Sequence, residues 1–95
     1  MISGKTKSGI EFTLNEKIKD DARFIYYIAR VKNENISKEE RSEDTMNLLK
    51  LICGSDEGVI GFMDAVAATH EGVCEVTVLM SELNEMFEAL NVKNS

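Results

Sequence analysis

Apolar and polar residues alternate strictly over Ile10-Glu11-Phe12-Thr13-Leu14, the period of a half-buried strand. Ile2, Gly4 and Thr6 form a weaker partner, and Lys7-Ser8-Gly9 supplies turn residues between the two. Residues 1–14 therefore read as a β-hairpin, which on its own is marginal in water and must pack on something helical. From Asp20 onward the period lengthens. Asp20 and Asp21 suit a helix N-terminus, where carboxylates cap free N–H groups and oppose the positive end of the dipole. Phe24, Ile25, Ile28 and Val31 follow as an apolar stripe, and the helix is expected to end near Lys32. Ser37-Lys38-Glu39-Glu40 has the form of a capping box that opens a second helix. Up to Asp44 this helix is charged all round and reads as solvated. Beyond that point Met46, Leu48, Leu49, Leu51 and Ile52 supply its apolar residues, and Gly54 fits a left-handed C-terminal cap.

Ser55 can cap a third helix reaching about Thr69, with Val59, Phe62, Met63 and Val66 on one stripe. Gly58 and Gly61 weaken it by roughly 1 kcal/mol each relative to alanine. Gly72 marks a turn and Val73–Val76 reads as extended. Thr77 is then a candidate cap for a fourth helix to about Asn91, with a broad apolar face of Leu79, Met80, Leu83, Met86, Phe87 and Leu90. Residues 92–95 are expected to fray. The expected fold is α+β and mostly helical: an N-terminal β-hairpin over 1–14, then a small bundle of about four helices over 20–91, in a single domain spanning 1–95.

Composition narrows the function classes. The chain has 95 residues, of which 43% are hydrophobic and 29% charged, too apolar for a disordered chain. No run approaches the ~20 apolar residues of a membrane span, so no membrane role is expected. Met1–Ile10 has lysines without a following apolar segment, which does not read as a secretory signal. Two cysteines, Cys53 and Cys74, are too few for the disulfide framework of a small secreted domain, and both are expected to be reduced in a cytoplasm. The net charge of −6 argues against nucleic acid, which needs a basic face. The charge is uneven: residues 1–33 sum to +3 and residues 34–95 to −9. Such polarity can steer a partner or favour head-to-tail self-association, giving a homo-oligomer.

Catalytic and metal chemistry find little footing. His70 is the sole histidine, with Cys74 four positions on, but no oxyanion feature or orienting group accompanies them. A helix-ending histidine is usually a surface or capping residue. Cys53, His70 and Cys74 lack the paired short spacings of zinc sites. Phosphate-cradling glycine motifs are absent from the sequence. The expectation is a non-enzymatic protein with no cofactor and no metal. The chain has five methionines, whose flexible thioethers suit both small cores and surfaces that repack around varied partners. The fourth helix's face is wider than one seam needs, so Met80, Leu83, Met86, Phe87 and Leu90 are the candidate protein-binding residues.

The order of features resembles the small tail assembly chaperones of long-tailed bacteriophages and prophages. The resemblance runs through the hairpin Lys5-Thr6-Lys7-Ser8-Gly9-Ile10-Glu11-Phe12 and through Asp20-Asp21-Ala22-Arg23-Phe24-Ile25. It continues through the Leu-rich run Leu48 to Gly54 with Ser55-Asp56-Glu57 after it, the break His70-Glu71-Gly72-Val73, and the final helix Leu83-Asn84-Glu85-Met86-Phe87-Glu88-Ala89-Leu90. Ala22 stands where many relatives have Trp. The resemblance implies a chaperone in the bacterial host cytoplasm that binds the long helical tape measure protein, helps recruit tail tube protein, and is absent from the mature virion. It also implies a programmed frameshift, and Lys93-Asn94 can be encoded by AAA-AAC. The alternative is a small acidic regulatory protein of a phage or mobile element, whose acidic 34–95 region covers a basic surface of a host protein. A metal-dependent enzyme or metal-binding switch using Cys53, His70 and Cys74 is the third reading.

Overall fold

The computed structural model describes the backbone of residues 1–93 and side chains through Leu90. Strands β1 (Ile2–Lys5) and β2 (Glu11–Leu14) pair antiparallel, and a short 3-10 helix follows over Glu16–Asp20. Helices α1 (Ala22–Lys32), α2 (Lys38–Cys53), α3 (Asp56–Thr69) and α4 (Val76–Lys93) complete the chain. The expected α+β, mostly helical architecture of a hairpin followed by four helices is what is found. The chain divides into two compact units: Met1–Glu16 together with the chain from Ile60 onward, and Lys17–Val59.

In the first unit the hairpin register puts Ile2 opposite Leu14 and Gly4 opposite Phe12. A β-carbon on Gly4 would come within 2.8 Å of the Phe12 ring, so the ring lies where a side chain at position 4 would otherwise stand. The alternation of β2 works as its spacing predicts, with Ile10 and Leu14 buried and Glu11 and Thr13 exposed. Thr6 closes the turn: its N–H donates to the Ile10 carbonyl at 2.9 Å, and its hydroxyl accepts from the Ile10 N–H at 3.2 Å. The hairpin packs on α4, and the Lys7 N–H donates to a Glu85 carboxylate oxygen at 2.9 Å. From α4, Leu79, Leu83, Met86 and Leu90 are buried at helical spacing, and Val66 of α3 is fully buried as well.

The second unit is built on α1 packed against α2. Asp21 is the N-cap of α1, its side chain accepting from the Arg23 N–H at 2.8 Å. Asp20 closes the preceding 3-10 turn instead of entering α1. The inward stripe is Phe24, Tyr27, Ile28 and Val31, at the i, i+3, i+4, i+7 positions. Ile25, expected on that stripe, is 57% exposed, because it lies about 100° around the helix from Phe24. In α2 the capping box forms as expected, with Ser37 Oγ accepting from the Glu40 N–H at 3.1 Å. Gly54 ends the helix at φ 81°, and its N–H donates to the Lys50 carbonyl at 2.8 Å. The inward positions of α2 are Asp44, Thr45, Leu48 and Leu49. Asp44, expected to be solvated, is 7% exposed, and Met46 points outward.

Ser55 caps α3 by accepting from the Gly58 N–H at 3.0 Å. The connection out of α3 turns at Glu71 and Gly72, both with positive φ, and the Gly72 N–H reaches back to the Ala67 carbonyl at 2.8 Å. Helix α4 begins earlier than its expected Thr77 cap. The Glu75 carbonyl takes the first helical bond, from the Leu79 N–H at 2.9 Å, and the acidic Glu75 side chain sits favourably at the positive dipole end. Of the expected frayed tail, Val92 and Lys93 continue α4, and residues 94–95 lie outside the described residues. No described helix is long and apolar enough to cross a membrane.

The two α3 glycines differ in what surrounds them. A β-carbon on Gly58 would meet the Cys53 carbonyl at 2.8 Å, whereas one on Gly61 meets nothing within 4 Å among the described residues. Gly61→Ala is therefore expected to stabilise the protein by about 0.5–1 kcal/mol through helix propensity alone. Gly58→Ala is expected to destabilise it, and urea denaturation of the two variants checks the opposite signs.

Candidate functional site

The most structured polar constellation joins α1 to α2. Arg30, in the last turn of α1, donates from Nε to Asp44 Oδ2 at 2.9 Å and from Nη2 to Glu40 Oε2 at 3.0 Å. Glu40 also closes the capping box, so one carboxylate serves both the helix start and the inter-helix contact. Its hydrogen bond from Arg30 is the largest cause holding its carboxyl below the ordinary range. The next residue, Arg41, donates from Nη2 to the Asn33 carbonyl at 2.7 Å and ties the α1–α2 connection to α2. These contacts close one end of the helical hairpin.

The other end stays open as a cleft of about 470 Å³. Arg23 and Tyr27, one turn apart on α1, form one wall. Asn47, Lys50, Leu51 and Gly54 recur at i, i+3, i+4 and i+7 on α2 and form the other. Arg23 forks onto Asp21, with Nε at 3.1 Å from Oδ1 and Nη2 at 2.8 Å from Oδ2. Lys50 Nζ stands 3.3 Å from the exposed Asp56 carboxylate. The Tyr26 and Tyr27 rings meet edge to face with centroids 5.3 Å apart. Tyr26 itself is 58% exposed, so α1 presents Ile25 and Tyr26 side by side in sequence as surface apolar residues.

A second, smaller cleft of about 350 Å³ lies at the α3–α4 connection, lined by Thr69, His70, Glu71, Val73, Glu75 and Val78. His70 Nδ1 lies 2.9 Å from the Val66 carbonyl and 2.7 Å from the Thr69 hydroxyl. A carbonyl only accepts, so the bond to Val66 places the proton on Nδ1. Burial pushes the Cys74 thiol above its ordinary value, the opposite of what an activated nucleophile needs. Cys53 is shifted the same way by burial. The described residues bring together no group of three or more His, Cys, Asp or Glu able to hold a metal ion.

The candidate binding residues on α4 divide. Leu83, Met86 and Leu90 are buried, and Met80 and Phe87 are half-buried. Between them the same helix buries Glu82, 2% exposed, with one carboxylate oxygen that has no hydrogen-bond partner among the described residues. The surface residues that sequence reasoning missed are Ile25 and Tyr26. The 100° step per residue from Phe24 was the available signal for Ile25. The cation-lined cleft was legible only as two unrelated cations, Arg23 and Lys50. Comparison with protein-family models, curated proteins and solved structures finds no match to this chain.

Asp21 offers a direct test of local electrostatics. Hydrogen bonds from Arg23 lower its carboxyl from 3.8 to about 2. A depressed carboxylate contributes stability above its unfolded value and loses it as pH falls through the folded one. The stability lost between pH 3.8 and about 2 is thus expected to be smaller in Asp21→Asn, which still caps the helix but cannot ionise. Thermal denaturation across that pH range checks it.

Proposed function

We propose that this chain is a non-enzymatic tail assembly chaperone of a long-tailed phage or prophage. In this reading it acts in the host cytoplasm, binds the tape measure protein, keeps it soluble, helps bring in tail tube protein, and is left out of the finished virion. The observation that supports it most is positional. Three of the segments behind the resemblance fall at element junctions, and the last lies along a helix. Asp20-Asp21 leads into α1, with Asp21 its cap. Gly54-Ser55-Asp56-Glu57 is the α2–α3 junction, and His70–Val73 is the break between α3 and α4. Leu83 to Leu90 runs along α4.

The physical logic is that of a helix-binding surface. A long amphipathic partner exposes apolar stripes that aggregate unless covered. Ile25 and Tyr26 on α1, and the half-buried Met80 and Phe87 on α4, are the residues assigned to such contacts. Each contact is weak and repeats along the partner, so many copies hold through avidity. The second reading, an acidic regulator of a basic host protein, draws on one feature: residues 34–95 carry four Lys/Arg against thirteen Asp/Glu, a net of −9. That reading requires partner binding that collapses with salt.

Co-expression with tape measure segments tests the chaperone reading. The wild-type chain is expected to raise the soluble fraction of the segments several-fold, and the double variant Ile25→Asp/Tyr26→Asp to lose most of that gain while remaining folded. No gain in solubility from the wild-type chain contradicts the proposal.

A further inference from the structure

Helix α4 carries one group that its own chain leaves unsatisfied. Glu82 is 2% exposed, and one of its carboxylate oxygens has no hydrogen-bond partner among the described residues. In either protonation state that oxygen forgoes the bonds it makes to water, so its burial is costly where an apolar residue of the same size would not be. Leu79, Leu83, Met86 and Leu90 share the buried side of the helix. At about 100° per residue, Glu82 falls on one flank of that stripe, about 40° from Met86. Glu85 lies about 60° further round on the same flank.

The β-hairpin packs on this helix and meets that flank, where the Lys7 N–H donates to a Glu85 carboxylate oxygen at 2.9 Å. Its lysines are engaged elsewhere. Lys5 Nζ lies 4.0 Å from Glu11 on the exposed face, and the bond that Lys7 gives goes to Glu85. The hairpin is therefore matched to α4 at Glu85 and mismatched at Glu82. Such a mismatch makes the two surfaces easier to separate and favours a replacement that brings the missing donor.

We propose that the flank of α4 around Glu82 and Met86 is a docking surface for an amphipathic partner helix with a Lys or Arg among its apolar residues, reached when the hairpin lifts away. The partner's cation pairs with Glu82 and supplies the charge-assisted hydrogen bond that the hairpin does not. Its apolar residues cover Leu83 and Met86 in the hairpin's stead, ridge against groove along the helical spacing of the stripe. The net charge of −6 draws a cationic partner in and opposes an acidic one. The inference deepens the helix-binding reading, on which it rests for the helical form of the partner, and adds the charge that the partner must carry.

Designed helical peptides of about 20 residues, apolar along one stripe and bearing Lys, Leu or Glu at its centre, are the probes. Fluorescence anisotropy with the full chain is expected to show the Lys peptide binding at least about tenfold tighter than the other two. Glu82→Leu and the conservative Glu82→Gln are each expected to bring the Lys and Leu peptides within about twofold of each other, with helical content by circular dichroism unchanged. Amide hydrogen exchange gives a second readout, since the Lys7 N–H held by Glu85 reports the hairpin directly. It is expected to exchange faster with the Lys peptide bound, and more slowly in peptide-free Glu82→Leu than in the wild-type chain. Equal binding of the three peptides, a Lys preference that survives both substitutions, or a Lys7 N–H no faster in the bound chain overturns the inference. No tape measure segment is used, so any of these results leaves the solubility test of the chaperone reading to be decided separately.

Discussion

A carboxylate on the inward face of a helix remains charged at tolerable cost only if a cation comes to it. Asp44 occupies such a position in α2, two residues from outward-facing Met46 and one turn before Leu48. Arg30 answers it from α1 and takes Glu40 with the same guanidinium. Because Glu40 also closes the capping box with Ser37, the start of α2, the end of α1 and their connection are fixed by one shared set of bonds. The consequence is an asymmetric helical hairpin, held shut at the connection and open at the far end, where Arg23 and Lys50 face a common cleft. The open end of this unit lies away from the point where the Asp44 charge is neutralised.

Most of the fold was legible because each element carries its own punctuation. Ser37 with Glu40, Ser55 and Gly54 act in the structure as their residue types suggest, since caps are local and need no tertiary partner. The misread positions are those where a distant partner or a neighbouring turn decides. Asp44 looks solvated in a charged stretch, and only Arg30, fourteen residues earlier, makes its burial tolerable. Ile25 looks like core because it is apolar and next to Phe24, yet a helix turns adjacent residues to different faces. Thr77 is a good cap by type, but α4 had already begun at Val76.

The functional surface was less legible than the fold. An apolar face on α4 looks the same in sequence whether it packs inward or meets a partner, and here Leu83, Met86 and Leu90 lie in the core. Apolar residues exposed on α1 and near the start of α4 are scattered in sequence and become notable only once burial is known. A chain that buries its widest apolar stripe and exposes small apolar and charged features suits contacts that are weak singly and cumulative along a partner. That property is what the proposed chaperone role draws on.

The central structural claim is that Arg30 and Asp44 act as one coupled unit organising α1 and α2. A double-mutant cycle of Arg30→Met and Asp44→Leu, measured by denaturation, tests it most directly, with Arg23→Met and Asp21→Leu as the exposed comparison. The account predicts that each Arg30 or Asp44 single variant is more destabilising than the corresponding double variant implies by addition, with coupling clearly larger than at Arg23 and Asp21. Additive losses at Arg30 and Asp44, no larger than those of the exposed pair, would contradict it.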